Sequence, residues 1–246
     1  MAAAAQPAGP LAGVKVLELS VAIAGPATAG MLADWGASVT RVEFGKGDPI
    51  RNVYTALRLP GLDAANPVQM GPGFFVDNRG KRSVVLDLKD AAGRDAFEKL
   101  LAVSDVFVTN YRVEALTRLG LNPEQVASRH PTMVVGLITG YGRTGSDDDK
   151  MQAYEPSAFW ARSGAADAHR YENEAYPPML SGGFGDHATA LSCAGGICAA
   201  LVQARSSGQG MVVETSLFRT AIYLNAWPFG FGEHCLPERR CIFFPQ

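Results

Sequence analysis

Five short β-rich runs alternate with helical patterns through the first 140 residues, and this alternation limits the fold more than any other feature. The opening unit shows the pattern. Val14–Leu19 reads as a strand. Gly25-Pro26 follows as a turn, and a helical spacing through Ala29, Met31, Leu32 and Trp35 stops at Gly36. Ser38–Glu43 is the next strand. Strand, turn, helix and strand within about thirty residues is the size of a βαβ unit. The same logic predicts a strand over Ser83–Leu88 and a helix over Ala91–Leu101, with Ala96, Phe97, Leu100 and Leu101 on one face. It continues with a strand over Asp105–Thr109, a short helix over Glu114–Leu119 closed by Gly120, a helix opened by Asn122-Pro123, and a strand over Met133–Ile138. Such alternation predicts an α/β fold, a Rossmann-like parallel sheet covered by helices. Ligands then belong beyond the carboxyl ends of the strands.

Other segments break the rhythm. Gly45–Gly73 carries prolines 49, 60, 67 and 72 and reads as an irregular excursion, with order resuming at Phe74. A helix is expected over Met151–Arg162. Ala188–Ala204 is an almost uncharged helix, expected to be buried. Met211–Glu214 reads as a strand and Leu217–Trp227 as a helix. Phe74, Phe75, Phe229 and Phe231 are expected in the core.

Composition narrows the function classes. The chain has 246 residues, 47% hydrophobic and 19% charged, with a formal net charge of −2. Nothing here pulls it toward nucleic acid or an anionic membrane. Arg79, Lys81 and Arg82 form the one tight basic group, large enough to meet a few phosphates. No uninterrupted run of 18 apolar residues occurs, so no membrane-spanning helix is expected. Of four cysteines, Cys193 and Cys198 read as small buried hydrophobes, and no CxxC pair or zinc spacing occurs, so no metal is expected. Met1–Pro10 lacks a basic targeting region and is expected to be a disordered tail, with a cytoplasmic setting as the default.

Familiar motifs are missing. The turn Ala22-Ile23-Ala24-Gly25-Pro26-Ala27 does not match the GxGxxG of dinucleotide folds, and neither a phosphate loop nor a GxSxG elbow occurs. Asp147-Asp148-Asp149 lacks further ligands and reads as a solvated loop. The stretch Ser181-Gly182-Gly183-Phe184-Gly185-Asp186-His187 is different. It sets a carboxylate among glycines at the mouth of an apolar run. Asp186 there either caps the helix or stands as a nucleophile. His187 reads as first-turn packing or surface polarity. Tyr154 and Glu155 read as ordinary helix surface. Asp87 to Lys89, Asn110 to Arg112 and Arg118 are polar groups near strand ends.

Several motifs in order match one family. They include Pro10 to Ser20, Ala24-Gly25-Pro26, Leu32 to Ala37, Val42-Glu43, Gly47 to Arg51, Asn78 to Ser83, Leu86 to Lys89, Asn110-Tyr111-Arg112, Ala115 to Leu121, Gly140-Tyr141-Gly142, Gly185-Asp186-His187 and Ser206 to Gly210. Together they resemble the class III coenzyme A transferases, a group that includes formyl-CoA transferase, carnitine CoA-transferase and the α-methylacyl-CoA racemases. The resemblance implies an enzyme that moves CoA from an acyl-CoA to a small carboxylic acid through an aspartyl-CoA intermediate, with Asp186 as the catalytic nucleophile. It implies CoA contacts at Ile23, Ala24, Leu86, Asp87, Leu88, Lys89, Asn110, Tyr111, Arg112, Arg118, Gln152, Ala153, Tyr154 and Glu155. It also implies a homodimer.

The match is not uniform. Phe44 stands where the family offers a basic residue, with Lys46 as a stand-in, and Gln152 stands where formyl-CoA transferase has a lysine. The racemase branch pairs its aspartate with a histidine. That position falls near Lys150 here, and residues 131–168 hold no histidine. This favours transfer over racemisation. A racemase, or a CoA-binding remnant without turnover, stays as the alternative. The resemblance fades after about Thr220. The expected layout is therefore a tail over 1–10, a CoA-binding α/β domain over 11–225 and a divergent tail over 226–246, with most of the family's second small domain lacking.

Overall fold

The computed structural model describes residues 9–45, 47–52, 71–146, 150–171, 174–177, 182–227 and 229–230. The tail expected at the N-terminus, the Asp147–Asp149 run, Phe231, Cys235 and Cys241 lie wholly or largely outside them, as does most of the Gly45–Gly73 excursion.

Six strands form one sheet: β1 (Lys15–Leu19), β2 (Ser38–Glu43), β3 (Arg82–Val85), β4 (Val106–Thr109), β5 (Val134–Thr139) and β6 (Val212–Ser216). Their order is β3-β2-β1-β4-β5-β6, and the β1–β2, β1–β4, β2–β3 and β4–β5 pairings are parallel. The chain leaves β1 toward one side for β2 and β3, then returns to the other side of β1 as β4. This reversal makes the β1–β4 boundary the switch point where α/β sheets open a crevice. The expected Rossmann-like parallel sheet is present.

The helices are α1 (Ala24–Asp34), α2 (Pro72–Asn78), α3 (Ala91–Ala102), α4 (Val113–Arg118), α5 (Pro123–Arg129), α6 (Ala165–Ala168), α7 (Phe184–Ser207) and α8 (Leu217–Leu224), with a 3-10 turn at Pro49–Asn52 and a π-helical turn at Pro156–Ala161. Successive strand residues point to opposite faces, so the sheet has two cores. Val16, Val39, Val106 and Val134 pack against Leu32 of α1 and Cys193, Ala194 and Ile197 of α7. Leu17, Val42, Phe107 and Val135 pack on the other face against Phe97 and Leu101 of α3, Leu116 and Val126. By internal contacts the chain divides into two units. One comprises 9–139 with 186–215, and the other 140–185 with 216–230.

Several expectations differ from the structure. Helix α2 starts at Pro72, two residues before Phe74, because proline's fixed φ and missing N–H suit a first helical position. Phe75 on α2 is exposed rather than in the core. The helix expected from Met151 is confined to Pro156–Ala161, where Pro156 takes a first helical position that suits its fixed φ and missing N–H. Helix α7 starts four residues before Ala188 and runs 24 residues. It is buried along one face only. Leu191 and Val202 stand exposed on another. By length and mean hydropathy, 1.3 over its best 18-residue window, α7 could cross a membrane. That departs from the expectation of no such helix, although its Cys193, Ala194 and Ile197 side pack into the sheet core.

Candidate active site

The carboxyl ends of β1, β2 and β4 converge on a loop at Ser20 to Ile23. Asn110, just past β4, grips this loop twice. Its Oδ1 accepts from the Val21 N–H at 2.9 Å, and its Nδ2 donates to the Val21 carbonyl at 2.7 Å. The next amide, Ala22 N–H, donates to the Asp48 carboxylate at 3.1 Å. Ala22 has φ of 63°, the one non-glycine residue in left-handed geometry among the described residues. An L-residue held there is strained by about 1–2 kcal/mol. Such strain persists only where surrounding contacts impose it, and Asn110 and Asp48 supply those contacts. Ile23 then stands at the N-cap of α1 and Ala24 at its first position, with no side-chain cap.

Beneath the loop lies an ionic cluster that sequence reading did not anticipate. Arg41 and Glu18 are buried in mid-sheet at 1% and 0% side-chain exposure, with Arg41 Nη1 2.6 Å from Glu18 Oε1. Arg41 also donates to Asn78 Oδ1 at 2.7 Å, to the Ser20 carbonyl at 3.3 Å and to Asp48. Ser20 Oγ donates to Glu18 Oε1 at 2.6 Å. Lys81 Nζ lies 2.8 Å from Glu18 Oε2, close in distance but off the hydrogen-bond direction. It donates instead to the Pro26 carbonyl and Asn78. Burial pulls the Lys81 ammonium below its ordinary pKa, and Glu18 opposes this. Glu43 binds Arg51, the Ser83 hydroxyl and the Asp48 N–H. Three acids (Glu18, Glu43, Asp48) thus face three bases (Arg41, Arg51, Lys81), which is how buried charge is tolerated.

The basic group expected to meet phosphates is largely spoken for. Lys81 is interior, and Arg79 pairs with Asp34. Arg82 donates to Ser38 and Thr40 on the exposed side of β2.

The other expected contact residues vary in setting. Leu86 continues the sheet by donating its N–H to the Glu43 carbonyl. Asp87 turns back on itself, its Oδ1 accepting from Lys89 N–H at 2.8 Å, and Leu88 is buried. Lys89 Nζ lies 5.7 Å from the Phe44 ring centroid, a cation–π distance. Tyr111 is half-buried. Burial raises its phenol pKa, Asp48 and Glu43 add to the rise, and Arg41 opposes it. Arg112 stands exposed at the N-cap position of α4 with no side-chain cap, and Arg118 is exposed in its last turn, roughly 9 Å further along the helix axis. Ile23, Ala24, Asn110 and Tyr111 are therefore gathered around one loop, while Arg118 lies apart.

Gln152 to Glu155 belong to the second unit. Gln152 and Tyr154 are exposed and Ala153 is half-buried. Glu155 is not helix surface. It is 6% exposed, and its carboxylate accepts from the backbone N–H of Gly183 at 2.6 Å, the N–H of Gly185 at 2.5 Å and the Trp160 indole N–H at 3.1 Å. Gly183, with φ of 95°, directly precedes α7. Glu155 is thus a remote cap for that helix, placing negative charge at the positive end of its dipole. Asp186 is the third residue of α7 and half-buried, not the residue before the helix as a simple cap would be. His187 follows, its Nε2 2.9 Å from Oδ1 of the buried Asp77, with the imidazole 47% exposed.

Known proteins resemble this chain in sequence and in fold. The sequence profile described as CoA-transferase family III matches residues 11–237, further than the motif-by-motif resemblance reached. The (R)-2-hydroxy-4-methylpentanoate CoA-transferase of Clostridioides difficile is 39% identical over 213 residues, which cover 87% of this chain and 52% of that protein. The cinnamoyl-CoA:phenyllactate CoA-transferase of Clostridium sporogenes is 37% identical over 211 residues, 86% of this chain and 50% of that one. The chain thus spans about half the length of the curated relatives it matches. Among solved structures, a CAIB/BAIF family protein from Brucella suis superposes with a TM-score of 0.82 at 27% identity, covering 95% of this chain and 60% of its own. With this profile match across most of its length, the chain belongs to CoA-transferase family III.

Proposed function

We propose that this protein moves coenzyme A from an acyl-CoA to a carboxylic acid, with Asp186 as the covalent carrier. In the first step the Asp186 carboxylate attacks the thioester carbonyl, forming a mixed anhydride and releasing CoA thiolate. The thiolate attacks the aspartyl carbonyl, forming aspartyl-CoA and freeing the donor acid. The acceptor carboxylate then attacks aspartyl-CoA to give a second anhydride and thiolate. Attack of that thiolate on the acceptor acyl carbon yields the new acyl-CoA and restores Asp186. Every step exchanges one acyl bond for another, so no oxidant or net proton is needed. Dividing the exchange into such steps is what a covalent nucleophile contributes.

The observation that carries this reading is the position of Asp186, in the first turn of a helix whose end is already capped by another carboxylate, Glu155. The clamped, strained loop at Ala22 supports CoA binding at the carboxyl ends of the central strands. The named activities of the two clostridial relatives support a 2-hydroxy acid with a bulky apolar side chain as one of the exchanged acids. A homodimer is proposed as the working form.

The test is transfer from an acyl-CoA to a 2-hydroxy acid, followed by chromatography, with hydroxylamine added to trap aspartyl-CoA as a hydroxamate. The intact protein should form the adduct on Asp186, and Asp186→Asn should lose both adduct and transfer while still binding CoA. Transfer surviving in Asp186→Asn would end the proposal. Exchange of the α-proton in deuterated water without transfer would assign a racemase instead.

A further inference from the structure

We infer that Glu155 is a positioning residue for the nucleophile: it pins the turn Gly183–Gly185 and so fixes where Asp186 leaves the backbone. This rests on the reading of Asp186 as nucleophile, and it gives Glu155 a role other than direct contact with CoA.

The geometry is specific. Glu155 Oε2 takes the Gly183 N–H, and Oε1 takes both the Gly185 N–H and the Trp160 indole. At 2.5–2.6 Å the two backbone contacts are in the range of charge-assisted bonds. The first N–H groups of an α-helix have no partner within it. Here a carboxylate 28 and 30 residues away satisfies two of them. Both oxygens are thereby committed to protein donors.

Aromatic packing removes the remaining freedom. The Phe159 ring lies edge-on to Phe184 at 6.4 Å between centroids, and Trp160 lies 5.8 Å from Phe184. A Cβ added to Gly185 would meet the Phe159 ring at 2.4 Å, so the backbone rests directly on the aromatic face. Asp186 is the next residue. Its Cα is fixed about 3.8 Å from that of Gly185 by the peptide unit, so the clamp sets the origin of its side chain. A carboxylate must approach a thioester carbonyl from above its plane, and misplacement by about 1 Å can cost roughly 100-fold in rate.

Glu155→Gln is the discriminating substitution, because its amide group must turn a donor toward at least one of the three donors. In the intact protein kcat should fall about 10- to 100-fold while KM for acyl-CoA changes by less than about threefold, the pattern of an interaction that matters in the transition state rather than in binding. Hydroxylamine trapping should slow in step. Hydrogen exchange read by mass spectrometry should show the peptide over residues 182–186 protected in the unsubstituted protein and exchanging faster in the variant. An unchanged kcat would overturn the inference, and so would a raised KM with kcat intact, which would make Glu155 a ligand contact. Should Glu155→Gln not fold, exchange in the unsubstituted protein decides. Protected Gly183 and Gly185 amides support the clamp, and rapid exchange overturns it. Asp186→Asn run alongside separates the two ideas, since activity retained there sinks the nucleophile, not the clamp.

Discussion

Glu18 and Arg41 are register partners on adjacent parallel strands, and their side chains meet at 2.6 Å in the interior of the sheet. Removing one partner of a buried pair strands the other charge. Arg41→Met is therefore expected to destabilise the protein by about 3–5 kcal/mol, read as the shift in urea unfolding midpoint. Adding Glu18→Gln should recover part of the loss, because the two sites share one interaction. A loss below about 1 kcal/mol would mean that the cluster is not coupled to folding.

Acid should attack the same cluster through Glu43. Burial pushes this carboxyl up, but hydrogen bonds from Arg51, Ser83 and the Asp48 N–H, with the Arg41 charge, bring it to about 2 from an ordinary 4.5. A folded pKa below the unfolded one contributes stability that is full above 4.5 and is lost as pH falls toward 2. Denaturant unfolding measured from pH 6 down to pH 2.5 should show this decline. Glu43→Gln should start less stable and decline less over the same range.

Cys193 should be chemically silent in the native protein. Burial lifts its thiol to about 12 against an opposing hydrogen bond with Thr28, so almost no thiolate exists at neutral pH. Iodoacetamide followed by mass spectrometry should leave Cys193 unmodified until denaturant is added. Cys198, only half-buried and raised less, should label first.

Asn110→Ala removes both hydrogen bonds that tie Val21 to β4. The left-handed Ala22 should then relax. A stability cost of about 1–3 kcal/mol is expected from the unsatisfied backbone groups, with CoA affinity weakened about tenfold in calorimetry. A variant that unfolds earlier yet binds CoA normally would detach this loop from ligand binding.

Much of the sheet was legible because its strands are dense in Val, Leu and Phe and its helices are punctuated by glycine and proline. Ser38–Glu43 was located to the residue. Asp186 stands out in the sequence by its glycine neighbours and the family motif, but its place within the helix does not. Gly182 to Gly185 reads as loop, whereas a helix begins there with the distant Glu155 accepting from its first N–H groups. Glu155 itself reads as surface because two of its three partners are backbone N–H groups, which have no sequence signature. The ionic cluster was hidden for a related reason. Glu18, Arg41 and Asp48 belong to three separate segments, and each alone resembles an ordinary solvated charge.

The strand order has a consequence for how the protein is made. The Lys15 N–H pairs with Asp105 at the foot of β4, 90 residues later in the chain. At synthesis rates of about 5–20 residues per second, the central strand emerges roughly 5–20 seconds before its second neighbour exists. Until then β1 presents one bare edge, with Val16 and Leu17 uncovered. Nascent chains stalled before β4 should therefore engage holding chaperones, and those stalled after β5 should release them.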